Sequence, residues 1–314
     1  MKIMSFDDFS DRAGKEIRDW LPDLYKDAEV EMQTVERLRG AYTGMTVVPG
    51  EQMIAPIINL QEFYDLYLKD PDWEKVIRSM ADMVTRFSRL PDMGWLSHYE
   101  QVKGSLFLKL CSIEGNEQLL EDMPHWRYAD LALTMHIRTK YFDNELYSVA
   151  VTRDMAEEFG VTEEDMLKDA FDSAQEMFPV HFEAMEHVLK GGYVYNPGSQ
   201  EPCVSPAGSG MLLLTNQYML NGASALFYPG VLKEAAVLLD GSYYILPSSI
   251  HELILLPEEF VEDYRDVERT VRRINRMQVA PEDWLSDHVY HYDNASALFE
   301  RADVYEQRKA LRNR

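Results

Sequence analysis

Short apolar runs bounded by turn residues come in pairs along this chain, with amphipathic helical stretches between the pairs. Paired runs joined by tight turns suit antiparallel neighbours, because a parallel sheet needs a crossover after every strand. The pattern therefore predicts an α+β fold of mostly antiparallel sheets. It is clearest towards the C-terminus. Met211–Thr215 and Ala223–Tyr228 read as strands around Asn221-Gly222, and Tyr243–Leu246 and Leu253–Leu256 read as two more around the Pro247-Ser248-Ser249-Ile250-His251 bend. Pro229 and Gly241 bracket a helix carrying Val231, Leu232, Ala235, Leu238 and Leu239. A final long helix is expected to bury Phe260, Tyr264, Val267, Val271 and Ile274, with an exposed edge strand at Val289–Tyr292 after it.

The N-terminal part follows the same rules. Phe6, Phe9, Ala13, Ile17 and Trp20 recur at helical spacing, and strands are expected at Ala28–Thr34, Thr43–Val48 and Met53–Leu60. Asp72 is placed to cap a helix whose stripe runs from Trp73 to Phe87. Leu90-Pro91-Asp92 breaks that stripe, so a subdomain of residues 1–92 is expected, then a main domain of 93–300 and a basic, frayed tail of 301–314. In the main domain, Ser105–Ile113, Tyr128–Ile137 and Leu146–Val151 read as strands, with Asp143-Asn144 as a hairpin turn. Thr162 and Asp165 form a capping-box variant ahead of Leu167, Ala170, Phe171, Ala174 and Phe178. Residues 195–210, rich in Pro, Gly and Ser, read as a flexible connecting loop.

Composition sets the function classes. With 314 residues, 46% of them hydrophobic, the chain can bury a sizeable core without a metal or disulfide staple. A net charge of −23 argues against direct contact with nucleic acid or anionic lipid, both of which reward clustered Lys and Arg. Two cysteines, Cys111 and Cys203, make neither a disulfide framework nor a structural zinc site. Asp7, Asp8 and Asp11 stand where a signal peptide would be apolar, and no apolar run approaches a membrane span, so a cytoplasmic protein is expected.

Several stretches, taken in order, resemble a known family. They are Y-T-G-M-T-V at 42–47, I-A-P-I-I-N-L at 54–60, M-P-H-W-R-Y-A-D-L at 123–131 and F-G-V-T-E-E-D at 159–165. They continue with N-G-A-S-A-L-F-Y-P-G-V-L at 221–232, Y-Y-I-L-P-S-S-I-H-E-L-I-L-L-P at 243–257 and V-A-P-E-D-W-L-S-D-H-V-Y at 279–290. From about residue 28 to about residue 293 the chain is similar to a domain of unknown function from anaerobic Gram-positive gut bacteria, often carried on mobile elements. That resemblance implies a cytoplasmic accessory-genome protein and carries no activity, cofactor or catalytic residue with it.

Three clusters invite a chemical reading. In an extended Pro247–Glu252 segment, Ser249 and His251 share a face as nucleophile and base might, with Glu252 beside them; the plainer reading is a bend whose hydroxyls satisfy free backbone groups. In His181–His187, read as a helix, Glu183 and His187 lie one turn apart, yet they match neither zinc-protease spacing and lack a third ligand. His288 and His291 face opposite sides of a strand and cannot share one metal. No metal and no cofactor is expected. Phosphate-binding glycine motifs and a G-x-S-x-G elbow are absent from the sequence.

Charge is the remaining signal. Residues 151–200 hold 11 Asp or Glu against 3 Lys or Arg, concentrated at Glu157, Glu158, Glu163, Glu164, Asp165, Asp169, Asp172 and Glu176. Such a face can engage a basic protein partner, and in its sharpest form can mimic nucleic acid; the plainer reading is a solvated helix surface. The sequence thus favours a non-enzymatic protein-interaction factor, with a hydrolase using Ser249, His251 and Glu252 as the alternative.

Overall fold

The computed structural model describes residues 3–37, 40–49, 57–87, 93–142, 145–190 and 210–312. The chain is α+β and every described strand pair is antiparallel. It divides into two compact units, Met1–Trp95 and Leu96–Arg314.

In the first unit, α1 (Phe6–Glu16) starts where the Ser5 side chain accepts the Asp8 amide, and it buries Phe9 and Ala13. Strands β1 (Glu29–Arg37), β2 (Gly40–Val48) and β3 (Ile57–Asn59) form a sheet in that order. The strand expected over Met53–Leu60 is described only for its last residues, since 50–56 lie outside the described segments. Asn59 then caps a helix the sequence pattern did not reveal, α2 (Leu60–Lys69), which buries Leu60, Phe63 and Tyr67. Exposed Leu66 and Leu68 blur its apolar stripe. Helix α3 (Trp73–Phe87) follows, with its Lys75 amide bonded to Asp72 as expected of a cap. Phe9 sits at the centre of this core, 5.2 Å from the Tyr64 ring, 5.6 Å from Tyr67 and 5.5 Å from Trp73.

The second unit holds two sheets. It opens with α4 (Tyr99–Val102), β4 (Leu106–Ser112), α5 (Glu117–Glu121), β5 (His125–Tyr128), β6 (Leu131–Phe142) and β7 (Glu145–Ala150). Strand β6 pairs with β4, β5 and β7. Next come α6 (Arg153–Phe159), α7 (Glu163–Met177), β8 (Val180–Ala184), α8 (Met185–Leu189), β9 (Leu212–Asn216) and α9 (Val231–Leu238). The chain ends with β10 (Tyr243–Pro247), β11 (Leu253–Pro257), α10 (Tyr264–Gln278), β12 (Tyr290–Asp293), β13 (Leu298–Arg301) and α11 (Ala302–Arg312). The second sheet runs β13-β12-β10-β11-β9-β8.

Several expectations change here. The run Tyr128–Ile137 is two strands, because Ala129 takes a left-handed φ of 56° and Tyr128 pairs directly with Leu131 across a tight turn. Ala223–Tyr228 is not a strand: Gly222–Phe227 forms a 3-10 helix, every residue of it buried. A fully buried run has no periodicity to separate the two possibilities. His181–His187 is not one helix, since Val180–Ala184 pairs with Leu212–Asn216 before α8 begins. Strand β12 is interior and buried, not an exposed edge. Phe260 lies outside α10, 58% exposed, because Asp263 supplies the cap of that helix. The C-terminal residues are packed as α11, with Ala302 and Tyr305 buried. The Asp143-Asn144 turn and all but the last residue of the 195–210 loop lie outside the described residues.

Candidate functional site

The acidic segment is built on α6 and α7. Thr152 caps α6 and Gly160 ends it at φ 64°, a left-handed position that suits glycine. Thr162 and Asp165 exchange hydrogen bonds at the start of α7, 2.7 Å from hydroxyl to carboxylate and 3.1 Å from the Asp165 amide back to the hydroxyl. Met166, Ala170, Ser173 and Ala174 face inward, and the Ser173 hydroxyl donates to the Leu106 carbonyl on β4. That fixes which side of α7 meets solvent. Glu157, Glu158, Glu163, Glu164, Asp165, Asp172 and Glu176 are all exposed. Asp169 is half-buried, accepting the Tyr99 hydroxyl at 2.7 Å; burial and that carboxylate push the Tyr99 phenol well up. Glu163 pairs with Arg153 at 2.8 Å.

The Ser249, His251 and Glu252 segment makes a polar corner between β10 and β11. Ser249 Oγ accepts the backbone amide of His251 at 3.0 Å, and Ser248 donates to Glu252 at 3.1 Å. Both His251 ring nitrogens are engaged: Nδ1 accepts the Asn221 amide at 3.1 Å and Nε2 donates to Asp283 at 3.0 Å. The Ser249 hydroxyl is therefore turned to backbone, and the imidazole is committed elsewhere, so the nucleophile–base contact expected of a hydrolase is not formed. The corner instead joins two of the quoted motifs. A Cβ on Gly222 would stand 2.2 Å from Thr215 Oγ1, 2.5 Å from the His251 carbonyl and 2.6 Å from the Asn216 amide nitrogen. Only glycine lets N-G-A-S approach P-S-S-I-H-E this closely.

Three further polar groups lie in the second unit. Glu183, only 6% exposed in its side chain, meets His187 Nδ1 at 2.8 Å and His181 Nε2 at 3.3 Å, although the first two are on β8 and α8 rather than on one helix. Among the described residues no group of three or more His, Cys, Asp or Glu is arranged to hold a metal. His288 sits between Glu268, 3.5 Å away, and Asp130, 4.0 Å away, so the S-D-H-V-Y motif meets R-Y-A-D-L. His291 faces the other way, fully buried and stacked on Tyr305 at 3.5 Å. Burial also pushes the Cys111 thiol up to about 12, far from the thiolate a nucleophile needs.

One surface escaped the sequence reading. Arg265, Arg269, Arg272, Arg273 and Arg276 are all exposed on α10. Their spacing was the available signal, overshadowed by the net negative charge of the whole chain.

These features define an antiparallel α+β protein with a polar interior in its second unit and with charge sorted onto helix faces. Residues 6–294 match DUF5688, a family of unknown function, and the chain belongs to that family. No curated protein and no solved structure matches it. No helix among the described residues is long and apolar enough to cross a membrane.

Proposed function

We propose that the protein is a non-enzymatic interaction factor whose α6–α7 face docks a protein partner carrying complementary positive charge. The observation that supports this is the exposure of seven of the eight predicted acids on two capped helices, with only Glu163 in an ion pair among the described residues. Nucleic-acid mimicry is the weaker form of the idea. Asp165, Asp169, Asp172 and Glu176 give one charge per about 5.5 Å of helix, against about 1.7 Å in duplex DNA. That sparser charge favours a basic protein groove over a site built for a duplex. The family resemblance of the motifs adds, as part of this proposal, a cytoplasmic accessory-genome setting in anaerobic Gram-positive bacteria.

Affinity capture from a host lysate treated with nuclease tests the idea. A specific partner should be retained at low salt, released at moderate salt, and lost when Glu163, Glu164, Asp172 and Glu176 are changed to Gln. Retention unchanged by those substitutions sinks the proposal.

A further inference from the structure

Two helices of the second unit carry charge ladders of the same pitch and opposite sign. On α7 the acids are Asp165, Asp169, Asp172 and Glu176; on α10 the bases are Arg265, Arg269, Arg272 and Arg276. Both run i, i+4, i+7, i+11, a spacing that keeps all four side chains on one face over about 16 Å. The spacing is the same read in either direction, so the ladders match whether the helices lie parallel or antiparallel. Both helices have 15 residues, and the sides opposite the ladders are anchored, α7 by Met166 and Ala170 and α10 by Val271 and Asn275.

The arginine face carries a shallow, open hollow bordered by side chains of α10 itself. Arg269, Arg272, Arg273, Arg276 and Met277 line an open groove of about 370 Å³. Beside the arginines lies an apolar margin, Met277 at 73% and Ile274 at 38% exposure. Arg269 pairs with Asp266 and Arg272 with Glu268, but Arg273 and Arg276 form no ion pair among the described residues. Asp172 and Glu176 likewise have neither an ion pair nor a side-chain hydrogen bond there. The C-terminal ends of both ladders are thus the unsatisfied ends, and no acid of α7 pairs with an arginine of α10 within the described chain.

We infer that the α10 groove binds the acidic face of α7 from a second copy of this chain. The inference rests on the proposed docking role of the acidic face and names its partner. The contact is heterologous, so one copy keeps its α7 face free and the other its α10 groove, and association closes into a ring or continues as a chain. One helix–helix contact of this length falls below roughly 1,000 Å² of buried surface, so association in the micromolar range is expected. Two copies at −23 repel at long range when salt is low, while ladders in contact lie within a screening length of about 8 Å near physiological salt. Association should therefore rise as salt is added to a low-salt sample, then fall again at about 1 M.

Sedimentation velocity on the full chain, up to a few hundred micromolar, tests this. Wild type should associate with increasing concentration. Arg273→Gln with Arg276→Gln should weaken that at least about tenfold, as should Asp172→Asn with Glu176→Gln. Mixing the two variants should restore a 1:1 complex that grows no further, because each supplies the face the other lacks. A wild type that stays monomeric throughout overturns the inference, as does a mixture that forms no complex. Single substitutions, Arg276→Gln and Glu176→Gln, repeat the complementation if a double variant fails to fold. If wild type is monomeric yet still captures a salt-sensitive lysate partner through the acids, self-pairing fails while the docking role stands. If it binds an acidic peptide through α10 but never itself, the inference fails as well.

Discussion

The two units solve the problem of a unique core in different ways. Among the described residues of the first, Thr46 is the only buried polar side chain, and the interior is the ring cluster around Phe9 with Ile17, Met45, Ile58 and Met80. The second buries Ser112, Asn116, Glu183, Asn275, His291, Asp293 and Glu300 among others. All eight histidines lie in it as well, from His98 to His291. An apolar core is held by area and shape, and is indifferent to pH; a polar one is specified by partners, and fails when a partner is lost or protonated. The second unit is thus the one whose structure is chemically addressable, and both charged ladders belong to it.

The largest effects should come from one position in each unit. Gly222→Ala drives a Cβ into Thr215, Asn216 and the His251 carbonyl, two of them backbone atoms, and should cost about 4 kcal/mol in chemical denaturation. Phe9→Ala removes the centre of the first core and should cost a similar amount, about 3–5 kcal/mol. The two variants should differ in kind: peptide-resolved hydrogen exchange should show lost protection around 212–257 in the first, and around 6–84 in the second. Loss spread evenly over both units in either variant breaks the contrast.

Acid should separate the units next. Burial holds the His291 imidazole down at about 4, against about 6.5 in an unfolded chain. Between those values the unfolded state takes up a proton the native state refuses, so stability is complete above pH 6.5 and falls as pH drops towards 4, by about 3 kcal/mol. His136 is held well below its ordinary value by burial and then by Lys109, so its contribution also begins to fade as pH falls below about 6.5. Asp293 acts lower: burial alone would raise it, but hydrogen bonds from Ser296 and Arg308 outweigh that and hold it at about 2, so its contribution is lost only as pH falls below 3.8. Exchange measured from pH 7 to 5, corrected for intrinsic rates, should weaken the second unit and spare the first. His291→Phe keeps the stack on Tyr305, removes a buried Nδ1 without a hydrogen-bond partner and an Nε2 that lies 3.5 Å from Glu258, and should flatten much of that slope. A variant as acid-sensitive as wild type would mean His291 is not the group responsible.

Arg308 probes the same polar core without changing pH. It reaches Asp293 at 3.0 Å and also binds Glu300, and both carboxylates are about one-tenth exposed. Arg308→Met leaves two nearly buried carboxylates facing each other, with only Arg312 at 3.8 Å from one of them, and should cost about 2 kcal/mol at pH 7. The same reasoning explains why this region was illegible in the sequence. Arg308 reads as part of a loose basic tail until β13 and β12 bring Glu300 and Asp293 beneath it. Elements with strong local signatures, such as Thr162 and its helix or β10 with β11, were legible because caps, turns and periodicity are local physics. The corner at His251 was visible as residues but not as an arrangement, since Asn221, Thr215 and Asp283 reach it through the fold. The α7 acids could be read directly, as a cluster of charge. The α10 arginines had equal periodicity and were hidden only by averaging charge over the chain.

The smallest effect is the sharpest check on the first unit. Glu16 there accepts Arg12 and the Trp73 indole, each at 2.8 Å, with Arg12 lying 4.3 Å above the Trp73 ring. The hydrogen bond from Arg12 is the main cause that holds its carboxyl below the ordinary value, so whatever it contributes is present at neutral pH and fades as pH falls through that range. Yet the Arg12 and Glu16 side chains are 41% and 37% exposed, and water screens such a pair heavily. Glu16→Gln keeps an acceptor for Trp73 and gives up only the charge. It should cost less than about 1 kcal/mol at pH 7, an amount differential scanning calorimetry can resolve against the Phe9→Ala loss. A cost of 2 kcal/mol or more would place an electrostatic keystone inside the unit that looks purely apolar, and the distinction between the two cores would no longer follow from what each one buries.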